Sequence, residues 1–420
     1  MAPRKRAVAP LCAAAFLLAA PALGQTASRA APANAPGATL QELLAAGRQL
    51  SPSLRAAALE SEAAAAKASG AGALDDPALT DSYTYYKDPG VFSAHAVMVT
   101  QAFPLWGKRS LRREAALADV DASRGREQAA RDELDEKVKV AFAQHAALSR
   151  SGGVDQAIQR LAGRLRAAAA ARYGQGGGDQ AEAIRAMGEE TTAKLELAKL
   201  DGEREATRAR LNALVGRPGD APVAASWPRG QPGAVPPLAT LLDRARAANP
   251  ALSAQAAEVA AARTRGTLAD KAWYPDISVG AGPLVQTNNR PVGFTATVGL
   301  NMPVPWGRTG SGQREAAARL GASQLRHDAA VLEVEGALGE ALARLAATRR
   351  TQALLRREGV PQAQAAFQAA VAGYGQGRGD LGGAIEAERR IHDTELALLQ
   401  AELDEQVAVA GIERLIGGAL

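Results

Sequence analysis

The sequence predicts a mainly helical chain with a small β part, organised as two equivalent halves. The glycine-rich segment 173–179 recurs 201 residues later at 374–380, and the Trp-Gly-Lys segment 106–108 recurs 200 residues later as Trp-Gly-Arg at 306–308. Landmarks that return in the same order indicate an internal duplication. The alanine-rich composition, with only 4% aromatic residues, favours long, closely packed helices over a core of large side chains.

The N-terminal segment, residues 1–24, is predicted to be a secretory signal peptide. Basic residues at 4–6 precede an apolar run at 11–22 and a small-residue cleavage site. That run is too short to cross a bilayer. Cys12, the only cysteine, lies within it, so the mature chain is predicted to have no thiol, disulfide or thiolate metal site. Residues 25–38, rich in alanine and proline, are expected to form a flexible leader.

The net charge excludes one class of partner. Removing three basic residues with the signal lowers the formal net charge from +5 to about +2. The remaining charge does not indicate a nucleic-acid partner. No later segment approaches 18 continuous apolar residues, so no transmembrane helix is expected.

The first half, residues 39–215, is predicted to contain five elements in order. An opening helix is expected to break near Pro52, because proline lacks the N–H that the helical ladder requires. A β-hairpin over 79–103 follows, rich in aromatic residues. A long helix, the tip at 173–179 and a return helix complete this half.

The second half, residues 238–420, follows a Pro/Gly-rich linker at 216–237 and repeats the same order. Its β-hairpin lies over 276–303 and its tip over 374–380. The return strand of this hairpin shows period-two alternation, with apolar residues at every second position from 294 to 302. Such alternation is typical of an ordinary half-buried strand and also of a transmembrane β-strand.

The predicted helices fit together in length and in heptad register. An opening helix and a return helix together contain about 73 residues, close to the length of the long helix beside them. In both long helices, core positions follow 4-3-4-3 spacing at matching places: Leu134, Val138, Ala141, His145 and Leu148, and then Val334, Leu338, Ala341, Leu345 and Thr348. This pattern predicts coiled-coil-like packing and makes His145 a packed core residue.

Four strands per chain lead to an expected oligomer. Four strands cannot close a barrel, and unpaired strand edges cannot face lipid. A homotrimer would supply twelve strands to one shared transmembrane β-barrel, within the range of outer-membrane barrels.

Aromatic residues flank the predicted strands, where a belt at the membrane interface would place them. This predicted belt contains Tyr83, Tyr85, Phe103, Trp106, Trp273, Tyr274 and Trp306. Local packing at helix–strand corners is the alternative explanation. Lys108 and Arg308, beside the Trp-Gly pairs, are expected to reach the lipid headgroups.

The order of these motifs resembles the TolC family of outer-membrane efflux proteins. The resemblance is carried by the Asn-Pro-x-Leu helix start at 249–252, the strand start at 274–282, the duplicated halves and the paired tips. It covers essentially the whole mature chain. Segment 104–109, Pro-Leu-Trp-Gly-Lys-Arg, resembles the heavy-metal branch of CzcC- and CusC-like proteins.

This resemblance implies a trimer in the outer membrane of a Gram-negative bacterium, with a twelve-stranded β-barrel in lipid and a long α-helical barrel in the periplasm. It also implies two protein partners, a periplasmic adaptor (membrane fusion) protein and an inner-membrane pump of the RND type. The chain would then be a passive exit duct of a tripartite efflux system, with heavy-metal cations as one candidate cargo.

The resemblance further implies that the two tips dock the adaptor and form the gate. The residues concerned are Tyr173, Gly176, Gly178, Asp179, Tyr374, Gly377, Arg378, Gly379 and Asp380. Glycines suit the positive φ of a tight reversal. Asp179 and Asp380 are expected either to cap the following helices or to form acidic rings in the lumen. Arg378 is expected to pair with an acidic partner or to remain solvated.

No catalytic, cofactor or metal site is predicted. The four histidines, at positions 95, 145, 327 and 392, are scattered without ligand spacing, and no nucleophile–base pair stands out. The chain is therefore not expected to be an enzyme. Two alternatives remain open: a protein-secretion duct of the type I kind, and a periplasmic helical scaffold with soluble β-hairpins.

Overall fold

The structure, a computed structural model, describes residues 37–85, 94–176, 179–227, 234–286, 291–304 and 308–420. The elements up to residue 214 are α1 (Leu40–Leu50), α2 (Pro52–Gly70), β1 (Ala78–Thr84), β2 (Ala94–Phe103), α3 (Lys108–Gly174) and α4 (Gln180–Leu214). The elements after it are α5 (Leu238–Ala248), α6 (Pro250–Asp270), β3 (Asp276–Gln286), β4 (Gly293–Asn301), α7 (Arg308–Leu354), α8 (Val360–Gly375) and α9 (Leu381–Ile416). Helices dominate, and the strands form one antiparallel sheet, which confirms the fold class predicted for the single chain.

Both predicted opening helices are broken at a proline. The predicted break at Pro52 is confirmed, because α1 ends at Leu50 and Pro52 is the first residue of α2. Pro250 is the counterpart of Pro52, and the second opening helix is broken at the matching place. There α5 ends at Ala248, and Pro250 begins α6 behind the cap residue Asn249. The Asn249 Oδ1 accepts hydrogen bonds from the backbone N–H groups of residues 251 and 252, at 2.8 and 3.1 Å.

The two long helices differ in continuity. Helix α3 is unbroken over 67 residues, or about 100 Å at 1.5 Å per residue. Its predicted counterpart is interrupted by a π-helical turn at Leu355–Gly359, which separates α7 from α8. Pro361, in the first turn of α8, explains the interruption, because its ring excludes a normal backbone hydrogen bond one turn earlier.

The sheet joins the two halves of the chain. Its order is β1-β2-β3-β4, and every neighbouring pair is antiparallel. The central pairing of β2 with β3 aligns Phe103 with Ile277 and His95 with Val285. The two predicted hairpins therefore lie side by side, and their connecting turns fall outside the described residues.

Two apolar clusters occupy matching places at the middle of the long helices. The first contains Leu43, Leu134, Val138, Leu211 and Val215. The second contains Leu241, Leu338, Ile412 and Ile416, with Val334 packed against them. Opening-helix positions differ by 198 residues, long-helix positions by 200 and return-helix positions by 201. The offset of 200 applies to long-helix positions before the π-helical turn, and at the tips the offset is 201, since Tyr173 aligns with Tyr374.

The packing of the helices places α3 at the centre of the molecule. Among the described helices, α2 contacts α3, α3 contacts α6, and α6 contacts α7. On the other side of the mid-chain clusters, α4 contacts α3, and α3 contacts α9, which packs on α7 and α8. Helix α3 is therefore in contact with helices of both halves.

His145 on α3 is buried, as the heptad pattern predicts. Burial lowers the pKa of His145 below its ordinary value. None of the described helices has the length and apolar character needed to cross a membrane.

Candidate functional site

The two tips reverse the chain through similar backbone turns. Helix α3 ends at Gly174 and α8 ends at Gly375, and in each case the glycine two residues later has a positive φ, +76° at Gly176 and +72° at Gly377. At the second tip the backbone N–H of Arg378 donates to the Gly373 carbonyl at 2.9 Å. Gly178, one of the predicted tip residues, lies outside the described residues.

Asp179 and Asp380 cap the return helices. The Asp179 Oδ1 accepts from the Ala181 N–H at 3.2 Å, and the Asp380 Oδ1 accepts from the Gly383 N–H at 3.2 Å. Both aspartates have extended backbone conformations at the N-cap position of α4 and α9. Their carboxylates therefore stabilise the two helix starts.

The tyrosines of the two tips lie in opposite environments. Tyr374 is 1% exposed, whereas Tyr173 is 49% exposed. The Tyr374 hydroxyl donates to Glu182 Oε2 at 3.3 Å, and the Arg172 guanidinium lies over the Tyr374 ring, 4.7 Å from its centroid. Arg172 also donates to the Tyr374 carbonyl at 3.3 Å. The second tip is thus locked to the first within one chain.

Arg172 and Glu182 are site residues that sequence analysis missed. Each lies just outside the repeated motif, where no pattern distinguishes it from an ordinary surface charge. Burial and the Glu182 carboxylate raise the pKa of Tyr374, so its hydroxyl remains a donor. Apolar packing supports the contact: Leu165, Ala169 and Ala186 of the first half form one buried cluster with Phe367, Tyr374, Leu381 and Ile385. Arg378 and Gly379 are exposed at the same tip.

A second polar cluster lies on the helices behind the tips. His392 Nε2 of α9 lies 2.7 Å from Asp155 Oδ1 of α3, and Glu388 is buried one turn before His392. Burial, reinforced by the nearby Glu189 carboxylate, raises the pKa of Glu388 to about 7, against the lowering effect of Arg389 and His392. Across the described part of the chain, no three His, Cys, Asp or Glu side chains come together as a metal site.

The predicted belt residues that the structure describes all lie at strand ends and are exposed. Tyr83 and Tyr85 lie at the turn end of β1, and the Tyr83 ring stacks on His95 with centroids 4.4 Å apart. Phe103, Trp106, Trp273 and Tyr274 lie at the helix end of the sheet, while Trp306 falls outside the described residues. The Trp106 and Tyr274 rings are 5.2 Å apart, and the Trp106 indole donates to the Pro275 carbonyl at 2.8 Å.

Lys108 corrects an expectation. It was expected to reach lipid headgroups, but the residue is buried, with its Nζ 2.8 Å from Asp276 Oδ2 and 2.8 Å from the Tyr274 carbonyl. The other Asp276 oxygen accepts from the Leu105 N–H at 3.0 Å. The sharp turn into α3, where Trp106 and Gly107 both have positive φ, is held by these bonds. The counterpart Arg308 is exposed at the start of α7.

The two faces of the sheet differ in chemistry. One face carries large exposed apolar side chains, among them Val99, Val279, Val298, Leu300 and Phe294. The opposite face carries Thr100, Ser278 and Thr297 between glycines. The side chains on that face leave no room for larger residues at the glycines. A Cβ on Gly280 would meet Thr100 Oγ1 at 2.7 Å, and one on Gly299 would meet Ser278 Oγ at 2.5 Å. Small residues on the polar face allow the sheet to curve toward it.

The chain is built of long antiparallel helices that carry one four-stranded sheet with an exposed apolar face. A model of the outer membrane efflux protein family matches residues 43–217 and 241–418. The chain belongs to this family, and the TolC-like resemblance predicted from the motifs is confirmed at that level. No curated protein sequence matches the chain.

Solved structures of outer-membrane channels share this fold. OprN superposes with a TM-score of 0.78 at 19% identity, over 90% of both chains. VceC of Vibrio cholerae gives 0.76 at 19% identity, over 90% of this chain and 96% of its own. CusC gives 0.78 at 17% identity, over 90% and 92%. Since CusC is no more similar than OprN, these comparisons do not distinguish a heavy-metal branch.

Proposed function

We propose that three copies of this chain form the passive exit duct of a tripartite efflux system. The observation that carries the proposal is the sheet, which has an exposed apolar face, an opposite face that carries threonine, serine and glycine, and two outer strands, β1 and β4, each paired on one side only among the described residues. A single chain in water would leave these apolar side chains solvated, whereas lipid would cover them.

The unpaired strand edges support a shared barrel. In lipid, backbone N–H and C=O groups along an open edge have no partner, so β4 of one copy requires β1 of the next. Three copies close a ring of twelve strands, with the threonine- and serine-bearing face inside. The exposed aromatic residues at both strand ends then lie at the two membrane interfaces.

The helical tips are the proposed gate and the proposed docking site for a periplasmic adaptor. The support is their geometry: they end the long helices opposite the sheet, and their exposed residues include Tyr173, Arg378 and Gly379. The contact of Tyr374 with Arg172 and Glu182 ties the second tip to the first, and its release would let the tips separate. Energy for transport would come from an inner-membrane pump, proposed to be of the RND type.

The charges at the tips bear on the charge of the cargo. Three copies of Asp179 and Asp380 near the narrow end would favour cations over anions. Heavy-metal cations therefore remain a candidate cargo within this proposal. A metal-selective duct needs no tight binding site, because tight binding would slow conduction.

The test is single-channel conductance of the purified protein in planar bilayers, with its oligomeric mass measured in the same detergent. We expect a trimer with one discrete, cation-preferring conductance. A soluble monomer without conductance would contradict the duct and favour a periplasmic scaffold. Genes for an adaptor and pump beside the coding gene would distinguish small-molecule efflux from protein secretion.

A further inference from the structure

Among the residues that the structure describes, the chain has two helical edges on which no further helix packs. The edge formed by α2 and α4 belongs to the first half, and the edge formed by α7 and α8 belongs to the second. Large apolar side chains are exposed on both edges: Leu325 is 71%, Leu59 57%, Leu354 59% and Leu195 66% exposed. These leucines are apolar surface that a neighbouring helix would cover.

The junction between the halves shows how such edges pack. Helix α3 meets α6 through Arg126, whose guanidinium lies 2.5 Å from Glu258. The same helix meets α9 through Arg150, 2.6 Å from Glu402. Both pairs join a long helix of one half to an opening or return helix of the other. They therefore define the register of the within-chain junction.

Applying the three sequence offsets to these ion pairs gives the corresponding residues on the two free edges. Adding 200 to the arginines gives Arg326 and Arg350, both on α7. Subtracting 198 from Glu258 gives Glu60 on α2, and subtracting 201 from Glu402 gives Asp201 on α4. The charges match in sign at both places, and all four side chains are exposed in one chain.

The exposed leucines fall at the same levels. Leu325 directly precedes Arg326, and Leu59 directly precedes Glu60. Their within-chain counterparts are Gly125 and Ala257, and a Cβ on Gly125 would come within 2.9 Å of Ala254. Ala254 corresponds to Ala56, one helical turn from Leu59, so Leu325 is placed next to the turn that carries Leu59 on the other edge.

We infer that a second copy of this chain packs its α2–α4 edge on the α7–α8 edge in this register. Leu325 and Arg326 then contact Leu59 and Glu60 of the neighbouring copy, and Arg350 contacts Asp201 of the neighbouring copy. The inference rests on the proposed trimer and adds its residue-level interface. Three such junctions alternate with three within-chain junctions around the ring.

Not every within-chain pair has a counterpart between copies. Asp119 binds Arg265 within the chain, but the corresponding positions hold Arg319 and Lys67, which have like charges. Glu315, which lies 2.6 Å from Arg319 on the same helix, is placed to offset them. Lys139 lies 2.8 Å from Glu413, whereas the matching positions are Gly339 and Asn212. The junction between copies therefore has fewer ion pairs and relies more on leucine contacts.

Cysteine cross-linking tests the register, because Cys12 in the predicted signal peptide is the only native cysteine. The test variant carries Leu59→Cys and Leu325→Cys and is treated with a short thiol-specific cross-linker. Helices α3 and α6 separate these two residues within one chain, so only neighbouring copies bring them together. We expect covalent dimers and trimers on denaturing gels, with loss of most of the monomer band.

Two matched variants control the result. Arg126→Cys with Glu258→Cys should cross-link within the chain and leave the mass of a monomer. Leu59→Cys with Leu332→Cys shifts the register by seven residues, or about 10 Å, and should give few dimers. The inference is overturned if the off-register pair cross-links or if the test pair does not. A trimeric mass in the same sample would still support the proposed duct. A monomeric mass without conductance rejects the duct itself.

Charge reversal tests the ion pair separately. Glu60→Arg should lower the trimer fraction in detergent by about three- to fivefold, because it places two arginines together. Adding Arg326→Glu should restore the trimer fraction to within twofold of the unaltered protein. A double variant that stays as impaired as Glu60→Arg alone would show that these residues do not meet.

Discussion

The two tips share a sequence motif but differ in environment. Tyr374 is buried under Arg172 and bonded to Glu182, while Tyr173 remains exposed. In the described part of one chain the second tip packs on the first tip, whereas no second-half element lies on the other side of the first tip. Part of the difference therefore reflects the open edge of a single chain.

The rest of the difference between the two tips comes from the residues that flank the motif. A shift of 201 residues maps Arg172 to Gly373 and Glu182 to Gly383. Tyr173 would therefore meet glycines, not an arginine and a glutamate, on the second tip of a neighbouring copy. A ring of three chains would then contain three polar tip contacts and three weak ones. The weak contacts, between copies, are where we expect the tips to part first.

The largest expected effect comes from Tyr374→Ala. Loss of a buried aromatic side chain costs about 3–5 kcal/mol, and here it also leaves Glu182 without its donor. We expect faster hydrogen–deuterium exchange over residues 360–385 and, if the tips gate the duct, a larger conductance. Tyr173→Ala is the matched control, with an effect within about 0.5 kcal/mol. Equal effects at the two tyrosines would remove the contrast between the tips.

How far the sequence predicts this fold depends on whether a feature is local. Helix and strand positions, the break at Pro52 and the aspartate caps follow from local rules, and the structure has them. Pro250, the counterpart of Pro52, starts α6 by the same rule.

Local rules do not predict the contacts that hold the two tips together or those that hold the turn into α3. Tyr374 meets Glu182 across 192 residues, and Lys108 meets Asp276 across 168. Nothing in the local pattern around Lys108 separates a buried ion pair from a lysine at a lipid surface. Its counterpart Arg308 is exposed, so equivalent positions in the motif also have different environments.

A second contrast concerns the junctions behind the tips and predicts a pH dependence. Glu388 is buried in the within-chain junction, and its counterpart 201 residues earlier is Met187, on the free edge. Glu388 faces Asp155 from α3 and Glu189 from α4, with Arg389 and His392 beside it on α9. The pKa of Glu388 rises from 4.5 to about 7. The folded state therefore holds this proton more tightly than the unfolded state.

The sign follows from that difference. Stabilisation by protonated Glu388 is fully present below pH 4.5 and is lost as the pH rises through about 7. We expect Glu388→Gln to remove this slope and to stabilise the protein by about 1–3 kcal/mol at pH 8, measured by denaturation across the pH range. Glu386→Gln, at an exposed position on the same helix, should leave the slope unchanged. A slope that persists in Glu388→Gln would assign it to another group.

The smallest effects are expected at the two aspartate caps, and they separate capping from gating. Asp179→Ala and Asp380→Ala should each destabilise the return helix by about 0.5–2 kcal/mol, because each removes one N-cap bond. Capping alone predicts equal stability losses and no change in ion selectivity. Acidic rings in the lumen predict weaker cation preference as well, measured as a shift of reversal potential under a salt gradient. Asp179→Asn and Asp380→Asn keep a capping group and remove the charge, so unchanged selectivity in both would leave these aspartates as caps alone.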